Sequence, residues 1–357
     1  MTETAARESA AAINLAHRPD SLGRMAWRRL RRDRIAQAGM TIVAVAIVWI
    51  VAVTVARAVV EPANDEDERT ALWRLALSIE PARQYVGDEK RPPVFFYEPP
   101  PKADDGEAGA GVSFAERFKA GMVHPLGTDK LGRDVLAVVV EGGRSAILYG
   151  SLIAAIGTGL GFLLGAVAGY FGRLADELIT WLLQVVASIP GLLMVIAVAY
   201  AIKTLESKTG GDYSLLIFAI IGLITWVGTC RVVRAEFLRL RENDYVTAAR
   251  ALGASWPRIV LAHLGRNASH LAIIFFSLGL VRAINYIVIL NFLNIGEAGM
   301  PTWGGVIGMA RQSLFGADRI WWPIVSVTLA MFLVVWAVNV MGDRLRDALD
   351  PGLRSES

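Results

Sequence analysis

The chain has 357 residues, 54% of them hydrophobic, a formal net charge of +3 and a single cysteine, Cys230; its pI is about 9.1 and its mean hydropathy +0.45. That composition is too apolar for a soluble domain of this size, and one cysteine excludes an internal disulfide. The basic balance does not point to nucleic acid, because the arginines gather beside apolar windows and report topology instead.

Six windows meet the requirement of about 20 mostly apolar residues for a membrane-crossing helix: Ile35–Val60, Ser145–Tyr170, Leu178–Ile202, Leu215–Val233, Leu271–Leu293 and Trp322–Met341. The first follows a basic N-terminus, 1–34, whose Arg24, Arg28, Arg29, Arg31, Arg32 and Arg34 lie just before it. Ala56-Arg57-Ala58 mimics a signal-peptide cleavage site. The apolar run of about 25 residues exceeds a signal core of about 7–15, so the expectation is an uncleaved anchor over 35–60. Arg231, Arg234, Arg239, Arg241, Arg250, Arg258 and Arg266 sit at or in the loop between windows four and five. Six crossings put both arginine groups on one side, which the positive-inside rule makes the cytoplasm, with both termini there.

Residues 61–144 are expected outside. They open acidic (Asp65, Glu66, Asp67, Glu68) and continue through proline-rich sequence that favours extended chain over a packed core. Trp73, Phe95, Phe96 and Tyr97 leave open whether this insert packs on an external partner or lies loosely on the surface. Then comes His124-Pro-Leu-Gly127-Thr128-Asp129-Lys-Leu-Gly132-Arg133-Asp134. Its glycines permit tight turns, and Asp129, Arg133 and Asp134 can cross-link a loop by charge-assisted hydrogen bonds. A catalytic use of His124 with Asp129 lacks a supporting nucleophile, so a structural brace is preferred.

Window two carries Gly157, Gly161, Gly165 and Gly169, a ridge that lets helix backbones touch. Window three holds Ser188-Ile189-Pro190-Gly191, where proline predicts a kink, either lining a pathway or aiding packing. Between windows four and five, within 239–267, lies DYVTAARALGASWPRIVLAHLGRN, Asp244 to Asn267. Ala248, Ala249 and Gly253 leave one side of its first helix almost bare, so another protein's surface can approach closely. Gly253 suits the left-handed residue that ends a helix, Ser255 an N-cap, and Pro257 the first turn of the next helix. In window five Arg282 falls near mid-bilayer, with Asn285 three residues on. A charge there costs about 2.5–3.5 kcal/mol on insertion scales and normally faces a cavity or a partner. Arg282 therefore either lines a pathway and meets a solute carboxylate or contacts a sister subunit.

The Asp244–Asn267 stretch resembles the cytoplasmic coupling loop, the EAA motif, of permease subunits in binding-protein-dependent ABC importers, in the form of the dipeptide, oligopeptide and nickel importers. Ala248, Ala249, Leu252, Gly253, Ala254, Ser255, Arg258, Ile259, His263 and Asn267 match; Thr247 replaces the leading Glu, and Gly265-Arg266 stand where the family has Leu-Pro. The 124–136 segment resembles the family's HxLGTDxxGRD signature, Pro301-Thr-Trp303-Gly304 its PxWG stretch, and Gly342–Pro351 its GDxLRDxLDP ending. The usual FLGLG is here Phe292-Leu-Asn294-Ile-Gly296. The resemblance covers 124–351 well, 24–60 weakly and 61–123 not at all.

It implies an all-α membrane protein of six transmembrane helices with cytoplasmic coupling helices, the bundle of a type I ABC importer permease of the C type. The domains would be the 1–34 N-terminus, the 35–60 helix, the 61–144 external loop, a five-helix core over 145–341 and a 342–357 tail. It further implies Asp244, Ala248, Ala249, Gly253, Ser255 and Arg258 at the ATPase contact, and Arg282, Asn285 and Pro190 as pathway candidates. The implied partners are a homologous second permease, two ABC ATPase subunits, an external solute-binding protein and the bilayer of a prokaryotic inner membrane. The implied cargo is a di- or oligopeptide ahead of nickel. No lysine follows a glycine, so no phosphate-cradling GxxxxGK[ST] loop exists and hydrolysis belongs to other chains. His17, His124, His263 and His270 lack metal-site spacing, and neither cofactor nor catalysis is expected. Two rivals remain: an ion-coupled secondary transporter, which would show paired broken helices around central acids, and a non-transporting membrane scaffold or sensor.

Overall fold

A computed structural model describes residues 33–34, 37–45, 48, 92–93, 124–211, 213–296, 301–314 and 320–349. The insert over 61–123, apart from 92–93, and most of the first window lie outside them. The described chain is helical. In order come α1 (Val135–Phe171), α2 (Arg173–Ala187), α3 (Gly191–Thr209), α4 (Ser214–Ile224), α5 (Val227–Arg241), α6 (Asp244–Ala251), α7 (Trp256–Arg258), a π-helical turn (Ile259–Gly265), α8 (Arg266–Phe292), α9 (Trp303–Leu314) and α10 (Trp322–Leu349).

Four stretches among the described residues are long and apolar enough to cross a membrane: Val135–Phe171, Ser214–Arg241, Trp256–Phe292 and Trp322–Arg346. A fifth counts if α2 and α3 form one crossing, but they are bent by 80°. The third window is thus not one straight helix. Pro190 occupies the N-cap of α3 with φ −57° and ψ 120°, where its missing N–H breaks no bond. The residue before a proline is pushed out of helical conformation, and the helix stops there. The helix holding window two begins at Val135, ten residues before Ser145, because Asp134 caps it: its carboxylate accepts from the N–H groups of Leu136 (2.7 Å) and Ala137 (3.2 Å).

The glycine ridge of α1 is the seam of the bundle. A Cβ on Gly161 would lie 2.6 Å from the Trp226 carbonyl oxygen, on Gly165 2.7 Å from that of Cys230, and on Gly169 2.7 Å from that of Arg234. Only glycine lets α5 approach this closely, as close packing without a hydrophobic drive requires. Around the seam, Ile153, Val195, Ile217, Phe218, Ile221 and Ile287 bury one apolar cluster, and Val138, Ile284, Trp303, Val306 and Val327 a second.

The ends of the bundle are chemically distinct. At one, Trp303 buries its ring against Gly142 and Gly143 and donates Nε1–H to the Val139 carbonyl (2.7 Å), while Trp322 donates to that of Thr128 (2.8 Å). Asn294 ends α8 there with φ 56°. Its N–H bonds to the Asn291 carbonyl and that of Ile295 to Leu290, the Schellman pattern. Asparagine tolerates the left-handed region, which accounts for Asn294 where the resemblance leads one to expect glycine. At the other end lie the α1–α2 turn, the α6–α7 elbow and the C-terminal part of α10. Arg344 pairs with Asp33 there (2.8 Å), so the two ends of the described chain meet on the elbow side.

Candidate functional site

The elbow is a continuation of the bundle. Asn243 (φ −74°, ψ 147°) turns the chain into α6, and α6 closes with a Schellman motif. Gly253 N–H bonds to the Arg250 carbonyl (2.9 Å) and Ala254 N–H to that of Ala249 (3.0 Å), with Gly253 at φ +78°. A Cβ on Gly253 would meet nothing within 4 Å, so the bare surface expected there is open space. Ser255 has the extended backbone of an N-cap (φ −66°, ψ 152°), but its side chain makes no capping hydrogen bond. The N-cap position is the expected one; Pro257, second in α7, has no N–H to offer, and the hydroxyl stays at the exposed surface.

The second arm of the elbow is not a separate helix either. Trp256 to Phe292 runs on as one span through the π-helical turn. Gly265 makes the wide turn possible, since a Cβ there would sit 2.9 Å from the Val260 carbonyl oxygen. Arg266 donates its N–H to the His263 carbonyl, a bond proline could not make. The Gly265-Arg266 departure and the π turn are one feature.

What anchors the elbow and what it displays are separable. Val246, Ile259 and Leu264 are buried with Val233, Phe237 and Leu240 of α5. Tyr245 accepts from Asn267 Nδ2 (3.1 Å), joining the two arms. Leu252 is 87% exposed and Trp256 56%. Asp244, Ala248, Ser255 and Arg258 are exposed beside them, and Ala249 is half-buried.

The elbow also touches the α1–α2 turn, which the sequence did not single out. Arg250 stacks over the Tyr170 ring (5.3 Å) and Trp256 packs edge-on against Phe171 (5.4 Å). Gly172 (φ +63°) and Arg173 (φ +46°) make the turn. Arg234 of α5 clasps Asp176 of α2 through Nε to Oδ1 and Nη2 to Oδ2, the second at 2.7 Å. Arg241 donates to the Gly169 carbonyl (3.1 Å). Fifty-eight residues separate Asp176 from Arg234, and no local motif links them.

At the opposite end the brace forms as its charges suggest. Asp129 accepts from the N–H groups of Leu131 and Arg133 and from Arg133 Nε (2.7 Å). Buried His124 Nδ1 lies 2.8 Å from Asp134 Oδ2, and Thr128 bridges Asp134 across the turns at Gly127 (φ +77°) and Gly132 (φ +69°). Asp134 thus caps α1 and holds His124, a positioning task. Among the described residues no three His, Cys, Asp or Glu side chains converge as metal ligands would.

The pathway candidates are only partly brought together. Arg282 and Asn285 are both exposed on α8. Pro190 is at the α2–α3 break, where a Cβ on Gly191 would lie 3.4 Å from the Tyr286 hydroxyl. Pro190 does not line the recess beside Arg282.

Residues 161–355, which include Gly161, Gly165 and Gly169 of the seam, the elbow and α10, match the model of the binding-protein-dependent transport system inner membrane component family. The chain belongs to that family. It is 32% identical over 233 residues to the glutathione transport system permease protein GsiD of Pectobacterium atrosepticum, covering 65% of this chain and 74% of that one. Over 235 residues it is 32% identical to the oligopeptide transport system permease protein OppC of Mycobacterium tuberculosis, covering 66% and 78%. With the di/tripeptide transport system permease protein DppC of Pseudomonas aeruginosa the identity is 34% over 231 residues, 64% and 73% of the two chains. As a permease of this family the chain is a multi-pass inner-membrane component of a binding-protein-dependent importer and is itself non-catalytic. The permease relatives align over about two thirds of this chain.

Proposed function

We propose that this permease forms one half of a six-span-per-subunit type I importer pore with a homologous partner. Two ABC ATPases would drive it through the Asp244–Arg258 elbow, and an external solute-binding protein would feed it. The observation that carries the reading is the elbow: a left-handed Gly253 in open space and an 87% exposed Leu252, set between two spanning helices at the arginine-rich end of the bundle. Leu252 and Trp256, both exposed on the elbow and rimmed by polar residues, have the form of a docking surface. The positive-inside rule makes this end cytoplasmic. The Asp33–Arg344 pair supports both termini lying on the same side. Di- or oligopeptide is the favoured cargo, because the relatives' names include oligopeptide and di/tripeptide permeases.

In this reading ATP binding draws the ATPases together and pulls the elbow. The rigid seam between α1 and α5 transmits the pull, and the bundle rocks between two packed states, as alternating access requires. The test is Gly253→Trp in the purified complex. Gly253→Ala strains the left-handed turn equally (φ +78°) without the bulk; beside that control Gly253→Trp should insert and assemble alike, since nothing inside the permease occupies the space, yet only its ATP hydrolysis should no longer depend on loaded binding protein. Wild-type coupling in that variant would remove the elbow from the mechanism.

A further inference from the structure

Beside Arg282 lies a shallow, open recess of about 10 Å³, between α1, the α4–α5 junction and α8, room for about one water. Thr158, Thr225 and Thr229 bring hydroxyl groups to its wall; Gly157, Gly279 and Phe275 complete it. No carboxylate lines it, and among the described residues no salt bridge involves Arg282. The guanidinium folds toward its own bundle: a Cβ on Gly228 would lie 3.8 Å from Arg282 Nη1 and meet nothing else within 4 Å. Ten residues separate Arg282 from the end of α8, about 15 Å of helix, so the cation sits deep in the bilayer. A charge at that depth normally marks a substrate or ion path.

We propose that Arg282, exposed at the mouth of this recess, is an anion subsite in the transport path, where its guanidinium holds the carboxylate of a passing solute. A short peptide supplies that group at its C-terminus. A carboxylate accepts two hydrogen bonds from a guanidinium in one plane. The subsite rests on the importer reading above, and it adds the chemical class that the path selects.

The probe is the charge of a thiol reagent. Gly228→Cys in a Cys230→Ser background places a thiol beside Arg282 in the assembled complex. It is treated with the anionic sulfonatoethyl and the cationic trimethylammonioethyl methanethiosulfonates. An uncompensated guanidinium a few ångströms away should favour the anionic reagent over the cationic one by about tenfold. Arg282→Gln should abolish that preference and Arg282→Lys should keep it. Thr225→Cys, on the same wall, serves if the first variant does not assemble. An unreactive thiol, or a preference unchanged by Arg282→Gln, would mean that another subunit covers or neutralises the arginine, and the proposal fails. ATP-driven uptake of trialanine and of its C-terminal amide is measured beside it. Loss of uptake for the acid alone in Arg282→Gln supports the subsite, and equal loss for both overturns it. No uptake of either by wild type, with the reagent preference intact, would refute the peptide reading and leave the anion site standing.

Discussion

Gly159 and Gly161 are two residues apart on α1 and meet opposite surroundings. A Cβ on Gly159 finds nothing within 4 Å, whereas one on Gly161 lands 2.6 Å from the Trp226 carbonyl oxygen and from Thr229 Cβ. Backbone cannot yield as a side-chain tip can. Gly161→Ala should therefore destabilise the purified permease by about 1–3 kcal/mol, the usual range for overpacking. Gly159→Ala should be neutral or stabilising by about 0.5–1 kcal/mol through helix propensity. Thermal unfolding of the two variants in one detergent checks the pair, and equal midpoints would contradict the seam. At this scale the sequence was legible where chemistry is local. Spacing by four exposed the ridge, and Gly253 declared its left-handed turn. Ser255 takes the N-cap position its residue type suits, although its hydroxyl makes no capping bond. Asn294 became intelligible only when its φ of 56° showed that it does the task of a glycine.

Among the elements, the clasp between α2 and α5 is what the chain order hides. Asp176 and Arg234 meet across fifty-eight residues, and neither lies in a recognisable motif. The elbow leans on Tyr170 and Phe171 just before the α1–α2 turn, and Asp176 lies in the first turn of the helix after it. Motion of the elbow can reach α2 by that route and arrive at the break after Ala187. The side chains are partly exposed, at 28% and 21%, so the pair's effect on stability should be small, while its effect on coupling should be large. Asp176→Asn should lower solute transported per ATP hydrolysed with little change in unfolding temperature, and Asp176→Arg with Arg234→Asp should recover most of the loss. A parallel fall in stability and transport, with no recovery in the exchanged pair, would reduce the clasp to a brace. Helix boundaries show a similar division. The apolar windows found the spans, but Val135 as the true start of α1 required the Asp134 cap, and the 80° bend at Pro190 exceeded what a proline alone announces.

Over the whole molecule, two ends with different chemistry are joined by a glycine-sealed bundle. One end is a compact brace of His124, Asp129, Arg133, Asp134 and two indole N–H bonds. The other is an arginine-rich platform from which the elbow projects Leu252 and Trp256. The family motifs made both ends readable, because each motif encodes its own turns and caps. The recess beside Arg282 was not readable, since its walls come from three separate helices. The central claim is that the elbow meets the ATPase, and cross-linking tests it most directly. A photoreactive benzoylphenylalanine replaces Leu252, 87% exposed at the elbow, or Leu131, 44% exposed at the brace. In the intact complex under illumination, the account predicts an adduct with the ATPase subunit from position 252 and none from position 131. An ATPase adduct from position 131, or none from position 252, would contradict it.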